Sequence, residues 1–301
     1  VRGWLFSLFV VTALFSGLNR AEAETVTVPY GDINLVGEFI VAEDRKPSDN
    51  IVLILHGTLA HLGMETIKGL QTILMERGIN TLSVNLSFGL DNRTGMYDCA
   101  VPHRHRYDDA LRELPVWFDW LAKKGIKDIT LLGHSRGGAQ AALFAAEKNH
   151  PLLARLVLMA PATWAFENVR NGYATANGKP LAESLAKARA LVGIGKGNEI
   201  IPGMGLLYCA GAAATANSFL SYYEPSIRYD TPSLMLSIGH PMLVVAASED
   251  TIVPDVPVRV KPLTDKEYVR LAVVDGADHF FLDLFGEDVA DAIEEFLDPG
   301  S

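Results

Sequence analysis

From residue 51 onward, short runs of apolar, β-favouring residues alternate with segments whose apolar positions recur at helical spacing. The runs are Ile51–Leu55, Thr81–Leu86, Ile129–Leu132, Leu156–Met159, Leu243–Ala246 and Val269–Val274. Most of them are apolar at successive positions rather than at every second one. Both faces of such a strand must be covered, as in a parallel sheet flanked by helices. Between them Glu65–Arg77, Tyr107–Lys124 and Gln140–Lys148 read as helices, the first two stopped by Gly78 and Gly125. Ahead of this block, Thr25–Val28 and Ile33–Val41 flank Tyr30-Gly31-Asp32 and predict an antiparallel hairpin at the start of the sheet. The pattern predicts an α/β fold with a doubly wound, mostly parallel sheet.

The rhythm breaks once. No convincing central strand lies between Pro161 and His240, an interval far longer than the ~2–6 residues of an ordinary βα connection. It holds helical material at Leu181–Leu191 and Leu206–Leu220, interrupted at Asn177-Gly178 and Gly193-Ile194-Gly195. This predicts a helical cap insertion at about 162–239, lying over the C-terminal edge of the sheet.

Residues 1–23 differ from the rest. Arg2 precedes an uncharged apolar run from Trp4 to Leu18, and Ala21-Glu22-Ala23 has the small-x-small form that a signal peptidase reads. The expectation is a secretory signal cleaved after Ala23, a chain of 24–301 that is periplasmic or secreted, and no stable membrane insertion after cleavage. The competing reading is an uncleaved anchor, since the run is only modestly shorter than the ~20 residues that span a bilayer. The two cysteines, Cys99 and Cys209, could pair in an oxidising compartment or remain buried thiols. With 301 residues, 49 % of them hydrophobic, the chain can bury one large α/β domain with an insertion. The formal net charge of −10 gives phosphate backbones little to attract, so nucleic acid is not an expected partner.

The chemistry concentrates where strands end. Gly133-His134-Ser135-Arg136-Gly137-Gly138 follows Ile129–Leu132 and opens a helix of small residues. A serine between strand and helix sits on a tight turn that exposes its hydroxyl, and glycines are needed where a Cβ would meet neighbouring backbone. The turn also aims a helix N-terminus at the site, where developing negative charge is favoured. A serine hydroxyl needs a base and an orienting carboxylate. Asp250 follows Met242–Ala247, and His279 follows Ala272–Val274, each in a loop past a strand's C-terminus. Glu249 and Asp255 are the rival acids. An oxyanion needs two N–H donors: that of Arg136, and one from the turn His56-Gly57-Thr58-Leu59, with Thr58 the choice and Leu59 next. His56 is expected to brace that turn.

These four motifs, His56-Gly57-Thr58, Gly133 to Gly138, Ser248 to Pro254 and Gly276 to Phe280, resemble those of the α/β-hydrolase superfamily, near its serine aminopeptidase-like and esterase/lipase-like branches. The resemblance spans nearly all of the chain after the signal. It implies a cofactor-free enzyme acting on a small-molecule ester or amide through an acyl-enzyme. A carboxylic-ester hydrolase is the expected activity; a peptidase or amidase, or an acyltransferase on the same triad, and a non-catalytic binding protein of the same fold are the alternatives. An aminopeptidase would need acidic residues near the substrate ammonium, for which Glu167, Glu183 and Glu224 are candidates. Phe219, Tyr222, Tyr223 and Leu206 either form an apolar pocket or pack the insertion on the core. The run from Met96 to Tyr107 gathers Cys99, His103, Arg104, His105 and Arg106, but lacks the second spaced ligand pair of a zinc site, so no metal is expected.

Overall fold

The computed structural model describes residues 21–148 and 150–298; Arg2 and the apolar run to Leu18 lie outside them. Glu22–Tyr30 (β1) and Ile33–Val41 (β2) pair through a two-residue turn at Gly31-Asp32, where Gly31 has φ 58°. A positive φ at that place is what a tight hairpin turn requires and what glycine adopts without a steric penalty. The sheet continues with Ile51–Leu55 (β3), Asn80–Val84 (β4), Ile129–His134 (β5), Leu153–Met159 (β6), Met242–Ala247 (β9) and Val269–Val274 (β10). Its eight strands run in the order β1-β2-β4-β3-β5-β6-β9-β10. The β1–β2 and β2–β4 pairs are antiparallel, and all others are parallel. Every residue of β3, β4, β5 and β9 is buried; β3 and β9 are apolar throughout, and in β4 the side chains of Asn80, Thr81 and Ser83 are hydrogen-bonded. Glu65–Glu76 (α1), Ala110–Lys123 (α2), Arg136–Lys148 (α3) and Phe285–Leu297 (α9) cover the sheet. The expected helix at Tyr107 opens as a short 3₁₀ turn over Tyr107–Asp109 before α2 begins.

The insertion leaves the sheet after β6 and returns at β9, which are neighbours. It contains Phe166–Asn177 (α4), Leu181–Gly193 (α5), a two-residue pair Ile200–Ile201 (β7) and Ala214–Thr215 (β8), Ala216–Tyr223 (α6) and Thr231–Met235 (α7). Of the expected helix Leu206–Leu220, only the part from Ala216 onward is helical. Gly203, Gly205, Leu207 and Gly211 all have positive φ, which no right-handed helix can contain. Thr215 then accepts from the Ser218 N–H and starts α6. A short helix, Val256–Val260 (α8), follows β9. Among the described residues, no helix is long and apolar enough to cross a membrane.

Candidate active site

Ser135 stands between β5 and α3 with φ 56°, a left-handed conformation that costs a non-glycine residue on the order of 1 kcal/mol. The surrounding backbone holds it there. The Ser135 N–H donates to the Met159 carbonyl at 2.9 Å, and its own carbonyl accepts from Gly138 and Ala162, both at 3.0 Å. The flanking glycines are steric necessities: a Cβ on Gly133 would lie 2.3 Å from the Gly137 carbonyl oxygen, and one on Gly137 would lie 2.4 Å from that of His56.

Three side chains from three loops meet in a line. Ser135 Oγ lies 2.9 Å from His279 Nε2, and His279 Nδ1 lies 2.8 Å from Asp250 Oδ2. With Nδ1–H donating to the carboxylate, Nε2 is the acceptor for the serine hydroxyl. The other carboxylate oxygen of Asp250 accepts from the N–H groups of Ile252 (2.7 Å) and Val253 (2.9 Å), so both oxygens are engaged. Asp250 and His279 are buried. The rival acids are elsewhere: Asp255 accepts from the Thr163 hydroxyl and pairs with Arg259, and Glu249 is exposed.

Thr58 and Arg136 face one another, with Arg136 Nε donating to Thr58 Oγ1 at 3.0 Å. His56 braces the turn before Thr58. Its Nδ1 lies 2.9 Å from the Gly57 carbonyl, and its Nε2 takes the Leu86 N–H (3.1 Å) and Arg93 Nη2 (2.8 Å). Burial, with the Arg93 cation beside it, pushes His56 down to about 3, which keeps Nε2 an acceptor. Arg93 also donates to the carbonyls of Leu86, Ala60 and Gly95. Nothing in the sequence around Arg93 announces this clamp. Behind the serine, His134 Nε2 lies 2.9 Å from the His279 carbonyl; its place inside the serine motif was the available signal.

These groups open onto a cleft of about 580 Å³, lined by Gly57, Thr58, Ser135, Arg136, His279 and apolar side chains that include Leu207, of which Met96, Tyr208, Ile252 and Phe280 are the most exposed. No aspartate or glutamate is among the lining residues. Phe219, Tyr222, Tyr223 and Leu206 are buried and do not line it; they pack the insertion on the core. Glu167 pairs with Arg170 and Glu224 with Arg189, and Glu183 is exposed on α5, outside the cleft lining.

Cys99 and Cys209 form a disulfide, which removes Cys99 as a ligand candidate. His103 Nδ1 lies 2.9 Å from His105 Nε2, and His105 Nδ1 lies 2.8 Å from the Tyr222 hydroxyl. Burial lowers His103 to about 4 and His105 to about 3. The His103 backbone joins the insertion through Ala213 and Thr215 at 2.8 and 2.9 Å. The two histidines thus fasten the insertion to the core. Among the described residues, no group of three or more His, Cys, Asp or Glu is placed to hold a metal ion.

The chain resembles Est1E from Butyrivibrio proteoclasticus at a TM-score of 0.63 and 19 % identity, over 91 % of this chain and 98 % of that one. It resembles the Pyrococcus furiosus esterase Pf2001 at 0.59 and 20 %, over 92 % and 91 %. E-2-(acetamidomethylene)succinate hydrolase gives 0.55 and 16 %, over 92 % and 100 %. At such identities the likeness establishes the fold. No curated protein matches by sequence. The family model described as "Alpha/beta hydrolase family" matches residues 52–292, a span that takes in every motif of the site, and the chain belongs to the alpha/beta hydrolase family.

Proposed function

We propose that the protein is an exported serine hydrolase that cleaves small carboxylic esters through an acyl-enzyme. The observation that carries this reading is the unbroken relay from Asp250 through His279 to Ser135, at 2.8 and 2.9 Å, opening onto an apolar cleft. In the proposed reaction Ser135 Oγ attacks the ester carbonyl while His279 Nε2 takes its proton. Asp250 holds the imidazole tautomer and stabilises the imidazolium. The backbone N–H groups of Thr58 and Arg136 receive the oxyanion, each contributing roughly 10²–10³ in kcat. His279 then returns the proton to the departing alcohol, and a water deprotonated by the same imidazole cleaves the acyl-enzyme. The scheme calls on no cofactor.

A cleft of about 580 Å³ suits a small molecule. Its lack of acidic residues favours an ester over an aminopeptidase substrate, whose ammonium group would need a carboxylate. Acyl transfer to an acceptor other than water shares every step but the last. A purely binding role gives no reason for a hydroxyl, an imidazole and a carboxylate to be aligned. Export is supported by the sequence before Glu24 and by the Cys99–Cys209 bond. Cleavage after Ala23 would remove the Glu22–Val41 and Ala23–Ile40 pairs from the hairpin and keep the register from Glu24 onward.

The test is to treat the purified protein and Ser135→Ala with a fluorophosphonate probe and to follow p-nitrophenyl esters of increasing chain length. Labelling and turnover that disappear in a folded Ser135→Ala support the reading, and a folded wild type that is neither labelled nor active overturns it. The mass of the exported protein tests the cleavage site.

A further inference from the structure

We infer that the cleft is shaped for esters whose acyl part carries a second, negatively charged group, a carboxylate held by the guanidinium of Arg136. The inference rests on the serine-hydrolase reading above and names its substrate class. Among the described residues, Arg136 is the only lysine or arginine lining the cleft, and no carboxylate lines it. Among the described residues, Arg77, Arg112, Arg170, Arg189, Arg228 and Arg259 each pair with an acidic side chain. Arg136 pairs with none, in a protein whose net charge is −10. What sets Arg136 apart is its place: it lines the cleft beside Ser135, with no carboxylate among the described lining residues.

The side chain is nevertheless held. Nε donates to Thr58 Oγ1 at 3.0 Å, and Cζ lies 5.8 Å from the centre of the Tyr107 ring and 5.7 Å from that of Tyr222. Both rings are buried, and cation–π attraction to two faces fixes the guanidinium without using its terminal nitrogens. Those nitrogens have no acceptor among the described residues, although the side chain is half-buried. A planar fork of N–H groups is what a carboxylate meets with two parallel bonds.

The hydrogen bond to Thr58 keeps the charge next to the loop that offers an oxyanion N–H, so the linker between the reacting carbonyl and the second carboxylate is short. The alcohol has to leave before water attacks, and the large apolar cleft residues most open to solvent are Met96, Tyr208, Ile252 and Phe280. The acyl group stays on Ser135 meanwhile, next to Arg136 in the cleft lining.

The test compares p-nitrophenyl hemiglutarate with its methyl ester, which removes only the charge, and follows p-nitrophenol release. Hemisuccinate and hemiadipate set the linker length. Wild type should favour at least one hemiester over its methyl ester by about 10- to 100-fold in kcat/KM, the worth of a hydrogen bond to a charged group. The ratio should shrink as ionic strength rises. Because each ratio is taken within one protein, it is insensitive to a general loss of activity: Arg136→Gln should bring it near one, and Arg136→Lys should restore part of it. If these variants do not fold, inhibition of wild type by glutarate against pentanoate serves, with tighter and salt-sensitive glutarate binding expected. A wild-type ratio at or below one for all three hemiesters, or a ratio unchanged in an active Arg136→Gln, overturns the inference. Ser135-dependent hydrolysis of p-nitrophenyl butyrate would still stand in that case, which separates this failure from failure of the hydrolase reading.

Discussion

The His134 ring holds the backbone of His279: Nε2 of the first lies 2.9 Å from the carbonyl oxygen of the second. Burial, and then the neighbouring His279, pushes His134 down to about 4, so the ring is neutral and Nε2 carries the proton it donates. The residue before the serine thus positions the loop that carries the proposed base. His134→Ala should lower kcat by about 10- to 100-fold, the scale of a 1 Å misplacement of a catalytic group, with a smaller change in KM. His134→Asn, which keeps a donor, should recover part of the loss. Steady-state kinetics on p-nitrophenyl butyrate check this, and an unchanged kcat in His134→Ala would refute it.

Acid should destabilise the fold well above the usual carboxylate range. His56, His103, His105 and His134 are buried and lowered from 6.5 to about 3, 4, 3 and 4, each mainly by desolvation. The unfolded chain binds these protons near pH 6.5 and the folded chain does not. The stability they contribute is therefore present above pH 6.5 and is lost as pH falls toward the folded values. Each titrating histidine adds about 1.4 kcal/mol per pH unit to the slope. Glu113 acts in the opposite sense, because burial raises it from 4.5 to about 7. Its contribution is present below pH 4.5 and is lost as pH rises through 7. Denaturant unfolding between pH 4.5 and 8 should give a steep acid limb that is shallower in His105→Gln. Glu113→Gln should gain on wild type as pH rises from 5 to 8.

The Cys99–Cys209 bond spans a sequence separation of 110 residues, for which loop-closure entropy gives a stabilisation of about 4–5 kcal/mol. Met96 on one side, and Leu207 and Tyr208 on the other, line the cleft close to the two cysteines. Reduction, or Cys99→Ser, should lower the melting temperature and raise KM more than it lowers kcat, because Ser135, Asp250 and His279 stand on other loops. Calorimetry and kinetics with and without a reductant test both parts.

Two glycine-to-alanine changes should have opposite signs. A Cβ on Gly137 would lie 2.4 Å from the His56 carbonyl oxygen and 2.9 Å from that of Leu55, and Gly137→Ala should cost roughly 2–4 kcal/mol. Gly69 is exposed on α1 with nothing within 4 Å of a built Cβ, and Gly69→Ala should stabilise by about 0.5–1 kcal/mol. Urea titration of both variants decides.

The strands and the convergence of Ser135, Asp250 and His279 could be read from the chain because both are local signals repeated in order: an apolar run, then a loop bearing a polar residue. The insertion was harder. In α4 only Tyr173 is buried, so the helix leaves no apolar stripe in the sequence. The segment before α6 contains alanines and leucines that suit a helix, but its glycines take left-handed turns that only tertiary contacts select. Leu206 is buried while Leu207, with φ 56°, lines the cleft; the alternation of leucines does not say which of the two faces it. The roles of Arg93 and His134 depend on partners 37 and 145 residues away, a relationship that no window of sequence contains.

Because β6 and β9 are adjacent in the sheet, the insertion departs and returns through one gap, and a different segment could be grafted there without disturbing strand order. It is also moored far from that gap, by the Cys99–Cys209 bond and by the His103 backbone. A chimera that exchanges only residues 160–241 would carry a foreign lid with no mooring. Residues 96–107 are part of the insertion's anchorage, and a graft meant to keep the insertion seated has to carry both segments.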